Sequence, residues 1–152
     1  TLGPLLEVHR SAMKREAVWQ IESGRDLTGA EIAKAMSLHG DLMQRMSRFQ
    51  EKFEFVICAV NQVPPFDASI DWPREIEGVK METYLDWMKS AYRISATFCP
   101  AISVPAGFSA DGLPVGIQIV GRYRDDLGVL QLANAFELVT GIGKRRPAIA
   151  FQ

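Results

Sequence analysis

Residues 99–121 read CPAISVPAGFSADGLPVGIQIVG, and this run decides the fold class. AISVPA (101–106) and PVGIQIVG (114–121) are two stretches of mainly small and β-branched apolar residues, the composition of strands. Between them lies GFSADGLP, in which Asp111-Gly112 marks a tight turn, because glycine takes positive φ without steric cost. Pro105 has no N–H to give to a ladder, so it belongs at a strand end or a bulge. The reading is a β-hairpin over 101–121.

Downstream, Asp125 or Asp126 caps a helix that carries Leu127, Leu130, Ala133 and Phe136 inward and stops at Gly141 and Gly143. Lys144, Arg145 and Arg146 come after its C-terminus, where cations suit the helix dipole, and read as a solvated cluster. Upstream, residues 81–95 have Tyr84, Trp87, Met88 and Tyr92 spaced for one helical face. Residues 61–78 contain three prolines and no period, which is loop. FEFVICAV (53–60) is apolar on both faces and reads as a buried central strand.

Thr28 and Glu31 form a T-x-x-E capping box. Ile32, Met36, His39, Met43, Met46, Phe49 and Phe53 then recur at three- and four-residue steps, which predicts a helix from about 29 to about 52. Pro4 suits the first turn of an earlier helix with Leu5, Val8, Ala12 and Trp19 in register. Ser23-Gly24 is its stop, with Gly24 free to take positive φ. Helices interleave with strands, so the class is α/β. No linker or repeat divides the chain, and residues 1–152 read as one segment.

Composition narrows the function classes. The 152 residues are 47% apolar and 23% charged, an ordinary globular balance able to support a core. Seventeen Lys and Arg against eighteen Asp and Glu give a net charge of −1, which removes the electrostatic case for nucleic acid or an acidic surface. No apolar run approaches the roughly 18 residues of a membrane helix. Cys58 and Cys99 cannot build a disulfide framework and suit a reducing cytoplasm. The first residue is Thr1, and the sequence runs almost at once into a helix, which suggests a piece of something longer.

The chemistry-bearing residues form no self-contained catalytic set. His9 and His39 fall on separate helices, with His39 on the apolar stripe, and read as core or boundary histidines. Cys58 and Cys99 sit in apolar sequence that raises a thiol's pKa, so they read as buried and inert. Ser103 lies inside a strand with no evident base. Asp125 and Asp126 read as a cap. No metal-ligand spacing, phosphate loop or nucleophile elbow occurs, so neither a metal nor a cofactor is expected.

The run 99–121 resembles the closing hairpin of the amidase signature family, with its P-A-I-S-V-P-x-G and G-L-P-V-G-x-Q-x-[IV]-G. RDDLGVLQLANAFE and the RRP tail are similar to the helix and tail that come after that hairpin in the family. FEFVICAVNQVPPF and LTGAEIAKAM resemble the family's strand and helix ahead of it, in the same order, from about residue 16 to the end. The resemblance implies the C-terminal part of the amidase signature fold, with helices packed on a mixed sheet that includes the hairpin. It implies amide hydrolysis by a Ser–cis-Ser–Lys triad. The Gly/Ser-rich segment that carries the serines is absent from these residues, so the catalytic assignment here is none.

By ungapped matching, the residues expected to wall a substrate pocket are Val60, Asn61 and Gln62 after the strand, and Trp87, Met88 and Tyr92 beside Tyr84 on the helix. The resemblance also implies the partners: the remainder of the enzyme's own chain, a small amide substrate, no nucleic acid, no membrane, and self-association of copies. Glutamine-specific members carry an acidic residue where Met88 stands, and the family's usual Asn and Gly align with Ser95 and Phe98. This departure implies a more apolar substrate than an amino acid. The other class of reading is a stand-alone binding or structural module that keeps the family's shell without its chemistry.

Overall fold

The computed structural model describes residues 2–145. Two compact units make up the chain, one running to Asp41 and the other starting at Leu42.

In the first unit, helix α1 (Gly3–His9) opens with Pro4 in its first turn, and helix α2 (Arg15–Ser23) comes after a short 3₁₀ turn over Arg10–Ala12. The single helix expected here is therefore broken. A straight helix would hold residues 10 and 22 about 18 Å apart, yet Arg10 Nη1 lies 2.7 Å from Glu22 Oε1. Met13 and Lys14 are extended and turn the chain back. Leu6 is the buried residue of α1, while Leu5 and Val8 face outward, so the buried face is offset from the periodic one. Gly24 keeps φ −73° and makes no left-handed turn, contrary to the expected stop geometry.

Helix α3 (Gly29–Gln50) has the expected cap. The backbone N–H and hydroxyl of Thr28 both donate to Glu31 Oε2 at 2.8 Å, and the Glu31 N–H donates back to Thr28 Oγ1 at 3.2 Å. Those bonds hold the Glu31 carboxyl below its ordinary range. Along the apolar stripe, Ile32, Met36 and Phe49 are exposed while His39, Met43 and Met46 are half-buried. Phe49 stacks on Phe53 with ring centroids 4.7 Å apart.

The second unit is built on three strands, β1 (Val56–Ala59), β4 (Ala101–Phe108) and β5 (Pro114–Val120), which form an antiparallel sheet in the order β1-β5-β4. The hairpin β4-β5 is the one expected, and its turn is closed by Gly112 at φ +76°. Its register slips between Pro105 and Gly107, which puts the proline at a bulge. β1 is not the central strand. Among the described residues it pairs with β5 alone, and Ile57 on one face is 54% exposed. Its two apolar faces are present, but only one is covered.

Helix α6 (Asp126–Thr140) starts at Asp125, whose Oδ1 accepts the Gly128 N–H at 3.0 Å, and ends at Gly141 with φ +63°. Its inward face is Val129, Leu132, Ala133 and Phe136, packed over Val104 and Ile119. Leu127 and Leu130, expected inward, are 66% and 55% exposed. The inward stripe starts at Val129, which lies against Gly121, rather than at Leu127. Arg145 lies over the Phe108 ring at 4.0 Å, and Arg146 falls outside the described residues.

The long loop contains a small hairpin that its composition does not announce. Strands β2 (Glu75–Ile76) and β3 (Val79–Lys80) are joined through Glu77 and Gly78, both at positive φ. The helix expected over 81–95 is two, α4 (Tyr84–Trp87) and α5 (Lys89–Ser95), parted at Met88. In a continuous helix the carbonyls of Asp86 and Trp87 would accept from residues 90 and 91. Here Gln62 Nε2 donates to both, at 2.8 and 2.5 Å, and the Ala91 N–H turns to Met88 O instead.

Candidate functional site

The site is built outward from Gln118. It lies mid-way along β5, the middle strand, opposite Cys58 on one side and Ser103 on the other, and is 6% exposed. A carboxamide buried in such a place must find partners. Its Nε2 donates to Ala59 O at 2.9 Å and to Ser90 O at 3.0 Å. The Ser90 hydroxyl in turn donates to Val60 O at 2.6 Å. The two consecutive carbonyls at which the chain leaves β1 are thus taken by two side chains from different elements.

Gln62 completes the tie from the other side through its two bonds to the end of α4. Asp86 fixes the start of α4. Its Oδ2 accepts from the Thr83 N–H at 2.8 Å and hydroxyl at 2.9 Å, and its Oδ1 pairs with Lys89 Nζ at 3.0 Å. The Lys89 hydrogen bond first, and the Thr83 bonds next, pull the Asp86 carboxyl down to about 2.

This strap borders a cleft of about 330 Å³. Residues 59–65 form one wall, and Ala106 with Pro114–Ile117 forms the other, at the bulge of the hairpin. Gly116 is among the lining residues. A Cβ there would stand 3.1 Å from Val104 O and 3.2 Å from Ser103 Oγ, with Val60 Cγ2 at 3.8 Å, so a larger residue would press on the neighbouring strand β4.

Of the residues singled out in the sequence, Val60, Asn61 and Gln62 line this cleft, and Trp87, Met88 and Tyr92 do not. Trp87 packs edge-on to Phe66 at 5.6 Å and to Tyr84 at 6.1 Å. Its Nε1 is buried without a hydrogen-bond partner among the described residues. Met88 is half-buried at the α4–α5 junction, and Tyr92 is exposed on α5. Sequence reasoning missed Gln118, Ser90 and Gly116. Gln118 and Gly116 are nonetheless positions of the G-L-P-V-G-x-Q pattern, and Gln118 also shows as one carboxamide interrupting an apolar strand.

A larger hollow of about 540 Å³ lies beside Met43, Met46, Gln50, Cys99 and Arg122. Its polar groups already serve the fold. Buried Gln50 donates to Gly121 O at 2.7 Å, and its own carbonyl accepts from Arg122 Nε at 3.1 Å. Cys99 Sγ donates to Gln50 Oε1 at 3.7 Å. Both cysteines are free and half-buried, more open than expected. Ser103 is an exposed strand residue. Among the described residues, no group of three His, Cys, Asp or Glu side chains is placed to hold a metal ion, and no helix is long and apolar enough to cross a membrane.

The family model for amidases matches residues 5–130. An acylamidase of Rhodococcus erythropolis is 35% identical over 123 residues, covering 80% of this chain and 26% of that protein. A glutamyl-tRNA(Gln) amidotransferase subunit of Thermodesulfovibrio yellowstonii is 36% identical over 124 residues, covering 79% of this chain and 24% of that one. In structure, a bacterial aryl acylamidase of the amidase signature enzymes superposes with a TM-score of 0.77 at 25% identity, over 91% of this chain and 30% of its own. The chain therefore spans about a quarter of the length of these two curated relatives. With a match over most of its length, in α/β elements of the same arrangement, it belongs to the amidase signature family.

Proposed function

We propose that this chain is the C-terminal part of an amide-bond hydrolase and that its cleft forms one wall of the acyl pocket. The nucleophile, its serine partner and the lysine are supplied by the remainder of the same enzyme, and no residue described here acts catalytically. The observation that carries the reading is the strapped loop. The stretch from Ala59 to Gln62 is held beside the cleft by side-chain hydrogen bonds to backbone carbonyls, from Gln118 and Ser90 to Ala59 O and Val60 O and from Gln62 to the end of α4. A wall that must present a substrate in one orientation needs such rigidity.

The substrate class is read from the family position that Met88 matches, Met88 itself lying outside the cleft at the α4–α5 junction. Phe98 holds φ +55°, the conformation glycine favours. It stands where the family carries glycine, which supports the ungapped register that sets Met88 at the acidic position of glutamine-handling members. A thioether in place of a carboxylate leaves an α-ammonium group without a counter-charge. The preferred substrate is accordingly an amide with an apolar or aryl group.

Amide hydrolysis by the full-length enzyme that contains these residues tests both parts. Acyl anilides are expected to turn over faster than glutamine, and the 152-residue chain alone is expected to release nothing. An inactive full-length enzyme would overturn the amide-hydrolase reading, and turnover by the isolated chain would overturn the assignment of the catalytic residues to the remainder of the enzyme. A preference for glutamine would overturn the substrate class alone.

A further inference from the structure

We infer that Gln118 and Ser90 are positioning residues that set the substrate-facing loop through the carbonyls of Ala59 and Val60. The inference rests on the pocket-wall reading above and adds the residues that determine it. A strand that leaves a sheet presents carbonyls no neighbouring strand can pair. Each needs a donor, or the chain shifts toward water. Gln118 gives one carboxamide hydrogen to Ala59 O and the other to Ser90 O, tying the exit of β1 to α5. Ser90 adds its hydroxyl to Val60 O at 2.6 Å, one residue further along. Asn61 and Gln62 come next in the chain and line the cleft. The wall is therefore hung from the middle of the sheet by polar bonds. Apolar packing at the same points would let the loop slide, since dispersion contacts carry no direction.

The chemistry constrains what can replace these groups. Gln118→Met keeps length and apolar volume but removes both donors. Gln118→Glu also turns an acceptor toward two carbonyl oxygens. Ser90→Ala removes one bond from a half-buried residue, and Ser90→Thr restores the hydroxyl.

The test compares these variants in the full-length enzyme with acyl anilides. Gln118→Met and Ser90→Ala are expected to raise KM about tenfold with kcat within about twofold, the pattern of lost substrate placement. Ser90→Thr is expected to return KM toward the parent value. A merely structural role lowers the amount of folded enzyme, so Vmax per milligram falls while KM stays put, and that result would overturn the inference. Hydrogen exchange over residues 59–65 gives a readout independent of turnover. Faster exchange there in Ser90→Ala than in parent and Ser90→Thr is expected, and equal exchange in all three would also overturn it. An inactive parent enzyme with the expected exchange pattern would keep the strap and remove the amide-hydrolase reading.

Discussion

Phe98 shows what a single backbone angle costs. Its φ of +55° places a bulky side chain in the left-handed region, and the side chain is 60% exposed, so little burial offsets the strain. A left-handed residue with a Cβ costs roughly 1–2 kcal/mol, and glycine loses about 0.5–1 kcal/mol of that through its freer unfolded state. Phe98→Gly is therefore expected to raise stability by about 0.5–1 kcal/mol, read as a higher urea midpoint with an unchanged slope. A lower midpoint would mean that the ring's contacts outweigh the strain. The same scale explains what was hard to read in the sequence. Glycine at 112 advertises its turn, because residue type and conformation agree. Gln50 and Ser90 advertise nothing, and Phe98 and Gln118 show only as positions of a family pattern, because what each side chain does is defined by neighbours distant in sequence.

Among elements, those governed by local bonds were legible and those governed by distant ones were not. The α3 cap and the β4-β5 hairpin each close within a few residues, and both formed as their residues indicate. The 81–95 segment has a helical period, but Gln62 takes two of its carbonyls and splits it. No periodicity can register a donor more than twenty residues away. The cap of α4 carries a pH consequence. Asp86 is drawn down to about 2 by Lys89 and Thr83, below the ordinary aspartate value of 3.8. A carboxyl lowered on folding stabilises the native state above its unfolded pKa, and that contribution is lost as pH falls through the folded one. Stability is therefore expected to decline between about pH 4 and pH 2 in the parent. Asp86→Asn should flatten this part of the decline, read from urea midpoints across that range. Parallel profiles for the two proteins would show that the α4 cap is not what Asp86 contributes.

At the scale of the whole molecule, the position of β1 is the most informative feature. Apolar residues on both faces argue for the centre of a sheet, yet the strand stands at an edge. Its residues are those of a covered strand, while Ile57 is 54% exposed and the second backbone edge has no strand beside it among the described residues. The outer face of α6 agrees, with Leu127, Leu130, Leu138 and Val139 between 55% and 87% exposed. Scattered surface leucines are ordinary, but an open strand edge, with apolar surface exposed on the same chain, invites pairing with another chain. The 152 residues alone are therefore expected to self-associate in a concentration-dependent way, seen as a rising weight-average sedimentation coefficient between about 5 and 100 μM, and to bind a hydrophobic dye. Ile57→Lys sets a charge on the exposed face of the edge strand and should reduce both signals, since edge charges are how sheets resist pairing. On the proposal that the remainder of the enzyme covers this face, the same substitution in the full-length protein should instead lower the yield of folded protein, because it would bury a lysine. A monodisperse 152-residue monomer that ignores the dye would mean that this apolar surface is no interface, and the stand-alone module would then be the better account of the chain.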